Sequence, residues 1–120
     1  MPDLPTLDPA AIDSLRSLSP DSDGSFLREL IEIYLQDTPL RLADLDAALS
    51  KGDAQALMRA AHTIKGSSSN FGAAKLSHLA REIEVHGKEG NCGPVPPLIP
   101  PLKAEYALVA RELKKILGGT

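Results

Sequence analysis

Apolar residues recur every three or four positions along most of this chain, which is the spacing of one face of an α-helix. The clearest run lies near the C-terminus, at Leu102, Tyr106, Val109, Leu113 and Ile116. Only 3% of the residues are aromatic, and leucine and alanine are abundant, which favours helices packed through aliphatic side chains over a sheet. The pattern therefore predicts an all-α fold.

The first helix is predicted to be short. Asp8-Pro9 offers an N-cap followed by a proline at the first helical position, a combination that is typical of helix starts. Ile12, Leu15 and Leu18 then form an amphipathic stripe, and we expect the helix to end near Ser19-Pro20.

The second helical segment opens at Asp23-Gly24-Ser25 and is apolar enough to serve two neighbouring faces of a bundle, so we expect it to be well buried. Its apolar residues are Phe26, Leu27, Leu30, Ile31, Ile33, Tyr34 and Leu35. Thr38-Pro39 then repeats the pattern of a cap followed by proline. Because a proline interrupts the helical hydrogen-bond ladder, we expect either a kink or two abutting helices there. We favour two helices, the second ending at Gly52.

Asp53 caps the next helix, which points its apolar residues inward, together with the small polar Ser68, a sign that a neighbouring helix approaches closely there. These inward residues are Leu57, Ala61, Ile64, Ser68 and Phe71. From Ala73 a further helix turns Leu76, Leu79, Ala80 and Ile83 inward, and His86-Gly87 has the features of its C-terminal cap.

We expect residues 1–120 to form one domain, an up-and-down antiparallel four-helix bundle with a short additional N-terminal helix. Residues 1–7 are expected to be a flexible N-terminus, and residues 118–120 a C-terminal tail. The prolines at 88–101 forbid regular helix through most of that range, so an extended connector is expected before the final helix.

Composition narrows the classes of function. The formal net charge is −3 and the basic residues are scattered, which argues against nucleic-acid binding. The sequence shows neither a signal peptide nor a membrane anchor, so we expect a cytoplasmic protein that does not bind membranes. Cys92 is the single cysteine, which excludes an internal disulfide and fits a reducing compartment.

His62 stands out on the helix that Asp53 caps. On a helical wheel it lies roughly 140° from the core direction, so its ring should point into solvent. Lys65 and Gly66 follow at three and four positions and therefore neighbour it on the helix surface. A neutral imidazole is a nucleophile, and a lysine one turn away can compensate the charge of a phosphoryl group. Glycine costs about 1 kcal/mol in mid-helix relative to alanine, and clearance for a docking partner explains its presence.

The run Ala61-His62-Thr63-Ile64-Lys65-Gly66-Ser67-Ser68 closely resembles the His-x-x-Lys-Gly-Ser/Ala signature of histidine-containing phosphotransfer (HPt) domains of bacterial phosphorelays. The continuation Asn70-Phe71-Gly72-Ala73 matches as well. The resemblance implies that His62 is the phosphorylation site, Lys65 its electrostatic partner and Gly66 the clearance position. It also implies a phosphocarrier rather than an enzyme, which accepts phosphate from one receiver-domain aspartate and passes it to another.

The same resemblance implies the partners. These are response-regulator receiver domains, which supply the acidic pocket and its magnesium ion, and a sensor or hybrid histidine kinase. We expect this chain to be a monomer that holds no cofactor or metal of its own. Residues around His62 are expected to contact the receiver: Gln55, Met58, Arg59 and Ser69. For Ile12 and Leu15, core packing is favoured over docking. Some relatives place a glutamine on the following helix within reach of the histidine ring, and Glu84 corresponds to it. A carboxylate there could orient a ring N–H but would repel phosphate, so the role of Glu84 stays open.

Several alternatives compete with this interpretation. The spacing of His78, His86 and Cys92 matches no standard zinc site, and Lys65-Gly66-Ser67-Ser68 lacks the residue order of a phosphate-binding loop. A non-catalytic docking module for a histidine kinase or response regulator stays possible. So does a phosphoacceptor domain excised from a chemotaxis-type or hybrid kinase, although Met1 and a closing C-terminal helix favour a free-standing protein.

Overall fold

The computed structural model describes residues 4–19 and 24–118 and holds five α-helices within them. They are α1 (Pro9–Arg16), α2 (Ser25–Lys51), α3 (Ala54–Ser69), α4 (Ala74–Lys88) and α5 (Ile99–Gly118). Two residues join α2 to α3 and four join α3 to α4, and such short connections make successive helices antiparallel. Helix α5 packs against both α4 and α2 and closes the bundle. The predicted four-helix bundle with a short additional N-terminal helix is confirmed.

A single aliphatic core fills the centre of this bundle. Tyr34 belongs to this core, and its hydroxyl lies 2.8 Å from Oγ of the buried Ser68. The small inward serine predicted on α3 therefore accommodates a tyrosine hydroxyl. The largest fully buried side chains are Phe71, Leu27, Ile31, Leu45, Leu57, Ile64, Leu76, Ile83, Leu102, Leu113, Val95 and Val109.

Helix α1 begins as predicted and ends early. Asp8 accepts a hydrogen bond from the backbone N–H of Ala10, but the helix stops at Arg16 rather than near Ser19-Pro20. Ser19 is used differently: its Oγ accepts a hydrogen bond from the N–H of Phe26 at 2.9 Å and so caps the first turn of α2. The predictions for residues 1–3, Pro20, Asp23 and residues 119–120 lie outside the described part of the chain.

The expectation of two helices meeting at Pro39 is wrong, because α2 runs without interruption from Ser25 to Lys51. A proline inside a helix costs about 3 kcal/mol or more. Burial of a single large aliphatic side chain offsets about 1.5–3 kcal/mol, and the buried stripe of α2 continues past the proline through Leu42 and Leu45. Pro39 itself is exposed. A continuous helix buries both halves of this stripe, and the free energy gained by that burial outweighs the cost of the lost hydrogen bond.

The predicted C-terminal cap of α4 at His86-Gly87 is also wrong. The helix continues to Lys88, and the left-handed residue is Gly90 with φ of 72°. The N–H of Asn91 donates to the carbonyl of His86, and the N–H of Gly90 donates to that of Gly87. These two bonds form a Schellman motif. Gly87 therefore lies inside the helix, and a role as a C-terminal cap does not explain why this residue is a glycine.

The proline-rich connector is not extended. After Gly90 the chain turns back through a short 3₁₀ helix, Pro96–Leu98, and α5 already begins at Ile99. Pro100 and Pro101 fit into the first turn of α5 because the N–H groups there have no partner within the helix. Val95 and Ile99 are buried, so the apolar residues of this segment anchor it to the bundle.

Candidate functional site

Helix α3 holds His62 on the surface. Asp53 is the N-cap of this helix, and its Oδ1 accepts a hydrogen bond from the N–H of Ala56 at 3.0 Å. Its inward residues Ala61 and Ile64 are fully buried, and this fixes the rotation of the helix. The His62 side chain is accordingly 65% exposed, in the direction that the helical wheel predicts.

Glu84 on α4 contacts two of the residues singled out on α3. Its Oε2 lies 2.6 Å from Nδ1 of His62, and its Oε1 accepts a hydrogen bond from Nζ of Lys65, also at 2.6 Å. The Glu84 side chain is only 3% exposed. A buried carboxylate therefore bridges the exposed imidazole and the lysine that follows it one turn later.

The charge state of Glu84 decides which nitrogen of His62 is free. Burial alone would raise the pKa of this carboxyl group, but hydrogen bonds from Lys65 and His62, together with the charges of Lys65 and Lys88, outweigh burial and lower the pKa. The group is thus ionised near neutral pH and can only accept hydrogen bonds. Since the carboxylate accepts, Nδ1 of His62 must carry the proton, and in the neutral ring Nε2 holds the free lone pair.

Lys65 lies beside His62, as expected, but its ammonium group is bound to Glu84 rather than free in solvent. A second lysine also approaches the same carboxylate, because Nζ of Lys88 lies 3.7 Å from Oε2 of Glu84. The sequence pattern did not single out Lys88. Two ammonium groups therefore surround one carboxylate next to the exposed ring.

Two glycines near His62 differ in what surrounds them. A Cβ added at Gly66 would meet no heavy atom of the described residues within 4 Å, so this glycine is not a helix-crossing contact and the space beside His62 is open. A Cβ added at Gly87 would lie 2.9 Å from Cβ of Met58 and 3.0 Å from the carbonyl oxygen of Ala54. Gly87 is therefore what allows α4 to approach α3 one turn from Glu84.

The residues expected to contact a receiver differ in their exposure to solvent. Gln55, Arg59 and Ser69 are exposed, whereas Met58 is half-buried and packs under Gly87. The Ser69 hydroxyl donates to the carbonyl of Lys65 at 2.8 Å. Neither residue considered on α1 is free for docking: Ile12 belongs to the core and Leu15 packs against it, as favoured above.

Helix α2 is less buried than expected. Phe26, Ile33 and Leu40 are exposed, and their spacing of seven residues places them along one outer face. The hydrophobic pattern indicated only that this segment is rich in apolar residues. It did not reveal that bundle packing covers a single face of α2.

Sequence reasoning left the role of Glu84 open, although one signal was present. Leu76, Ala80, Glu84 and Gly87 follow the same inward stripe of α4, so a carboxylate stands where the pattern requires a buried residue. Acidic side chains are almost never fully buried without a partner. The stripe therefore indicates a paired carboxylate, but not the helix that supplies the pair.

The remaining histidines form separate contacts. His78 pairs with Glu82 at 2.9 Å, and His86 lies 3.6 Å from Glu89. Across residues 4–19 and 24–118, no group of three or more His, Cys, Asp or Glu side chains is arranged to hold a metal ion. The helices in the same ranges include none with the length and apolar character needed to span a membrane.

Comparison with known proteins links this geometry to one family. A family model described as the Hpt domain matches residues 29–114, a range that contains all of α3 and α4. The crystal structure of histidine-containing phosphotransfer protein B (HptB) from Pseudomonas aeruginosa PAO1 superposes with a TM-score of 0.87 and 34% sequence identity, over 98% of this chain and 99% of that one.

Two curated relatives are more distant in sequence. Histidine-containing phosphotransfer protein 4 of Arabidopsis thaliana is 26% identical over 102 residues, which cover 83% of this chain and 80% of that protein. Multistep phosphorelay regulator 1 of Schizosaccharomyces pombe is 27% identical over 81 residues. The match spans 68% of this chain but only 28% of the regulator's length.

Proposed function

The chain belongs to the Hpt domain family, and on that premise we propose that it is a phosphorelay intermediate whose phosphoryl group is carried by Nε2 of His62. The group arrives from the aspartyl phosphate of one receiver domain and leaves to the aspartate of another. The observation that carries this assignment is the 2.6 Å contact between Nδ1 of His62 and the buried carboxylate of Glu84. That contact leaves the other nitrogen unprotonated on a largely exposed ring.

The transfer balances without a base on this chain. The lone pair of Nε2 attacks the phosphorus of the donor's aspartyl phosphate, the bond between phosphorus and the aspartate oxygen breaks, and its electron pair leaves with the aspartate carboxylate. The proton on Nδ1 stays in the hydrogen bond to Glu84, which balances the positive charge that the ring acquires. In the outward step the receiving aspartate attacks phosphorus and Nε2 recovers its electron pair.

Two neighbours of His62 serve this step. Lys65 compensates the roughly two negative charges of the phosphoryl group, and Gly66 leaves room for the receiver surface to reach the ring. Lys65→Ala should slow transfer and keep the helical fold, with lower stability because the buried Glu84 loses a hydrogen-bonded cation. Gly66→Gln should weaken receiver binding more than it lowers thermal stability, and equal losses in both would indicate a packing role instead.

The rest of the machinery belongs to partners under this proposal. The protein is a phosphocarrier, and the magnesium ion that phosphoryl transfer generally requires is held by the receiver domain rather than by this chain. Gln55, Met58, Arg59 and Ser69 form the receiver contact around His62. A sensor or hybrid histidine kinase stands upstream, and the chain acts as a cytoplasmic monomer.

Phosphate labelling tests the assignment. Incubation with a phosphorylated receiver domain and magnesium should place acid-labile phosphate on the wild-type chain, and His62→Gln should stay unlabelled. His78→Gln is the matched control, because His78 is also an exposed helical histidine paired with a carboxylate, and it should label normally. Label that persists in His62→Gln would refute the site. A wild-type chain that binds the receiver but takes no label would identify a docking module.

A further inference from the structure

Glu84 has two lysines nearby in addition to its hydrogen bond with the neutral His62 ring, which is one cation more than a single carboxylate needs. Within the described residues, His62 and Lys65 face it from α3, and Lys88 faces it from its own helix at 3.7 Å. Lys88 lies four positions after Glu84, in the last turn of α4, and its side chain is 60% exposed. Its ammonium group is near enough for an ion pair but too far for a hydrogen bond.

The proposed role of Lys65 conflicts with the ion pair that this lysine makes with Glu84. Its ammonium group is held at 2.6 Å by Oε1 of Glu84, yet it must meet the phosphoryl oxygens when charge arrives on His62. Removing one partner of a buried ion pair leaves an uncompensated charge, which is strongly unfavourable. The charged ring that forms on transfer still contacts Oε2 through Nδ1, but Oε1 loses its ammonium partner when Lys65 turns. A second cation near the carboxylate lowers the cost of that turn.

We infer that Lys88 is this second cation, a positioning residue that takes over the Glu84 carboxylate when Lys65 turns to the phosphoryl group on His62. The inference rests on the proposed function and deepens it. Lys88 makes and breaks no covalent bond. The long, exposed lysine stem allows its ammonium group to close the remaining gap to Oε2, and the hydrogen bond from Nδ1 of His62 keeps the ring in place during the exchange.

A simpler explanation for Lys88 is a favourable cation at the C-terminus of a helix. The two explanations differ in what the lysine acts on. A cation that only stabilises the helix end contributes equally whatever residue stands at position 84. A counter-ion of Glu84 loses its role when that residue is neutral.

The test is a double-mutant cycle in the receiver-dependent labelling assay. Lys88→Met should lower the initial rate of labelling about five-fold, the scale of a partly exposed charge pair. In the Glu84→Gln background, Lys88→Met should have no further effect, because glutamine still accepts from Nδ1 but carries no charge. Lys75→Met is the matched control, since Lys75 lies on the same helix, 3.8 Å from the buried Glu105, and it should label at the wild-type rate.

Two results would overturn the inference: a wild-type rate for Lys88→Met, or the same fold-loss in both backgrounds. Thermal denaturation of each variant separates a change in transfer from a change in folding. Failure of the proposed function has a different signature, because the wild-type chain itself then takes no label. Labelled wild type with an unaffected Lys88→Met variant would refute only the role of Lys88.

Discussion

Helix α4 is packed against α3 on one side and against α5 on the other, and each interface buries one carboxylate. Glu84 at the α3 interface and Glu105 at the α5 interface both have side chains that are 3% exposed. Both oxygens of Glu84 have partners at 2.6 Å. Glu105 has a single lysine at 3.8 Å, and its Oε2 has no hydrogen-bond partner among the described residues.

The difference shows that burial of a carboxylate does not by itself indicate function. At the α3 interface, Gly87 allows α4 to pack closely against Met58 of α3. Met58 lies one turn before His62, and Gly87 lies one turn after Glu84. The close approach brings the carboxylate within hydrogen-bond distance of an exposed nucleophile. At the α5 interface the ion pair of Glu105 is with the exposed Lys75 at 3.8 Å, and no nucleophilic side chain is bound to it among the described residues, so we expect a structural role for Glu105 and a functional role for Glu84.

Replacing the two carboxylates by leucine should give the largest contrast. Glu84→Leu is expected to lower the rate of labelling by about 10- to 100-fold, because a hydrogen bond to a charged group contributes about 1.5–3 kcal/mol. Glu105→Leu should label at the wild-type rate. Initial rates with a phosphorylated receiver measure both variants, and similar losses would remove the distinction between the interfaces. Glu84→Gln, which keeps an acceptor for Nδ1, should retain more activity than Glu84→Leu.

The two glycines near His62 should respond to alanine in opposite directions. Gly87→Ala is expected to lower the free energy of unfolding by up to about 2 kcal/mol, since overpacking costs about 1–3 kcal/mol and the helix-propensity gain offsets about 1 kcal/mol. Gly66→Ala should raise it by up to about 1 kcal/mol, because the space there is open. Denaturant unfolding measures both changes. A stabilised Gly87→Ala variant would contradict close packing at this crossing.

Replacing Glu105 by an apolar residue of similar size should make the protein more stable. Glu105→Met removes a buried oxygen without a partner, and such replacements of buried charges are often neutral or stabilising by about 1–4 kcal/mol. We expect a gain of about 1 kcal/mol in denaturant unfolding, with labelling unchanged. A clear loss of stability would show that the contact with Lys75 matters more than its length of 3.8 Å suggests.

Acidification should have a smaller effect, seen as a difference in stability between wild type and a variant with a neutral side chain at position 84. The pKa of Glu84 is lowered in the folded protein, so the unfolded chain takes up this proton first as the pH falls. The stability that the ionised carboxylate contributes is therefore present above about pH 4.3 and is lost below it. Between about pH 7 and about pH 3, the free energy of unfolding should fall less steeply for Glu84→Gln than for wild type. Parallel curves would contradict the lowered pKa.

Much of the fold could be predicted from local signals. The caps at Asp8 and Asp53 and the buried stripe of α3 depend on residues a few positions apart, so a single helix determines them. The outward direction of His62 followed from that stripe. Pro39 was misjudged because the burial gained beyond it comes from the whole bundle and is not a local quantity.

The contacts that complete the candidate site could not be predicted in the same way. His62 and Glu84 are 22 residues apart on different helices, and a hydrophobic pattern fixes the face of a helix but not its distance from another. That distance depends on Gly87, which the pattern placed at a helix end. The hydrophobic pattern places the side chain of Glu84 on the inner face of α4, but only the packed structure identifies the residues that it contacts.

The most direct test of this account identifies the phosphorylated atom. The chain, labelled with ¹⁵N in histidine, is phosphorylated by a receiver domain, and coupling between ¹⁵N and ³¹P is measured by NMR. The account predicts coupling of phosphorus to Nε2 of His62 while Nδ1 keeps its proton in the bond to Glu84. Phosphorus on Nδ1, or on any other residue, would contradict it.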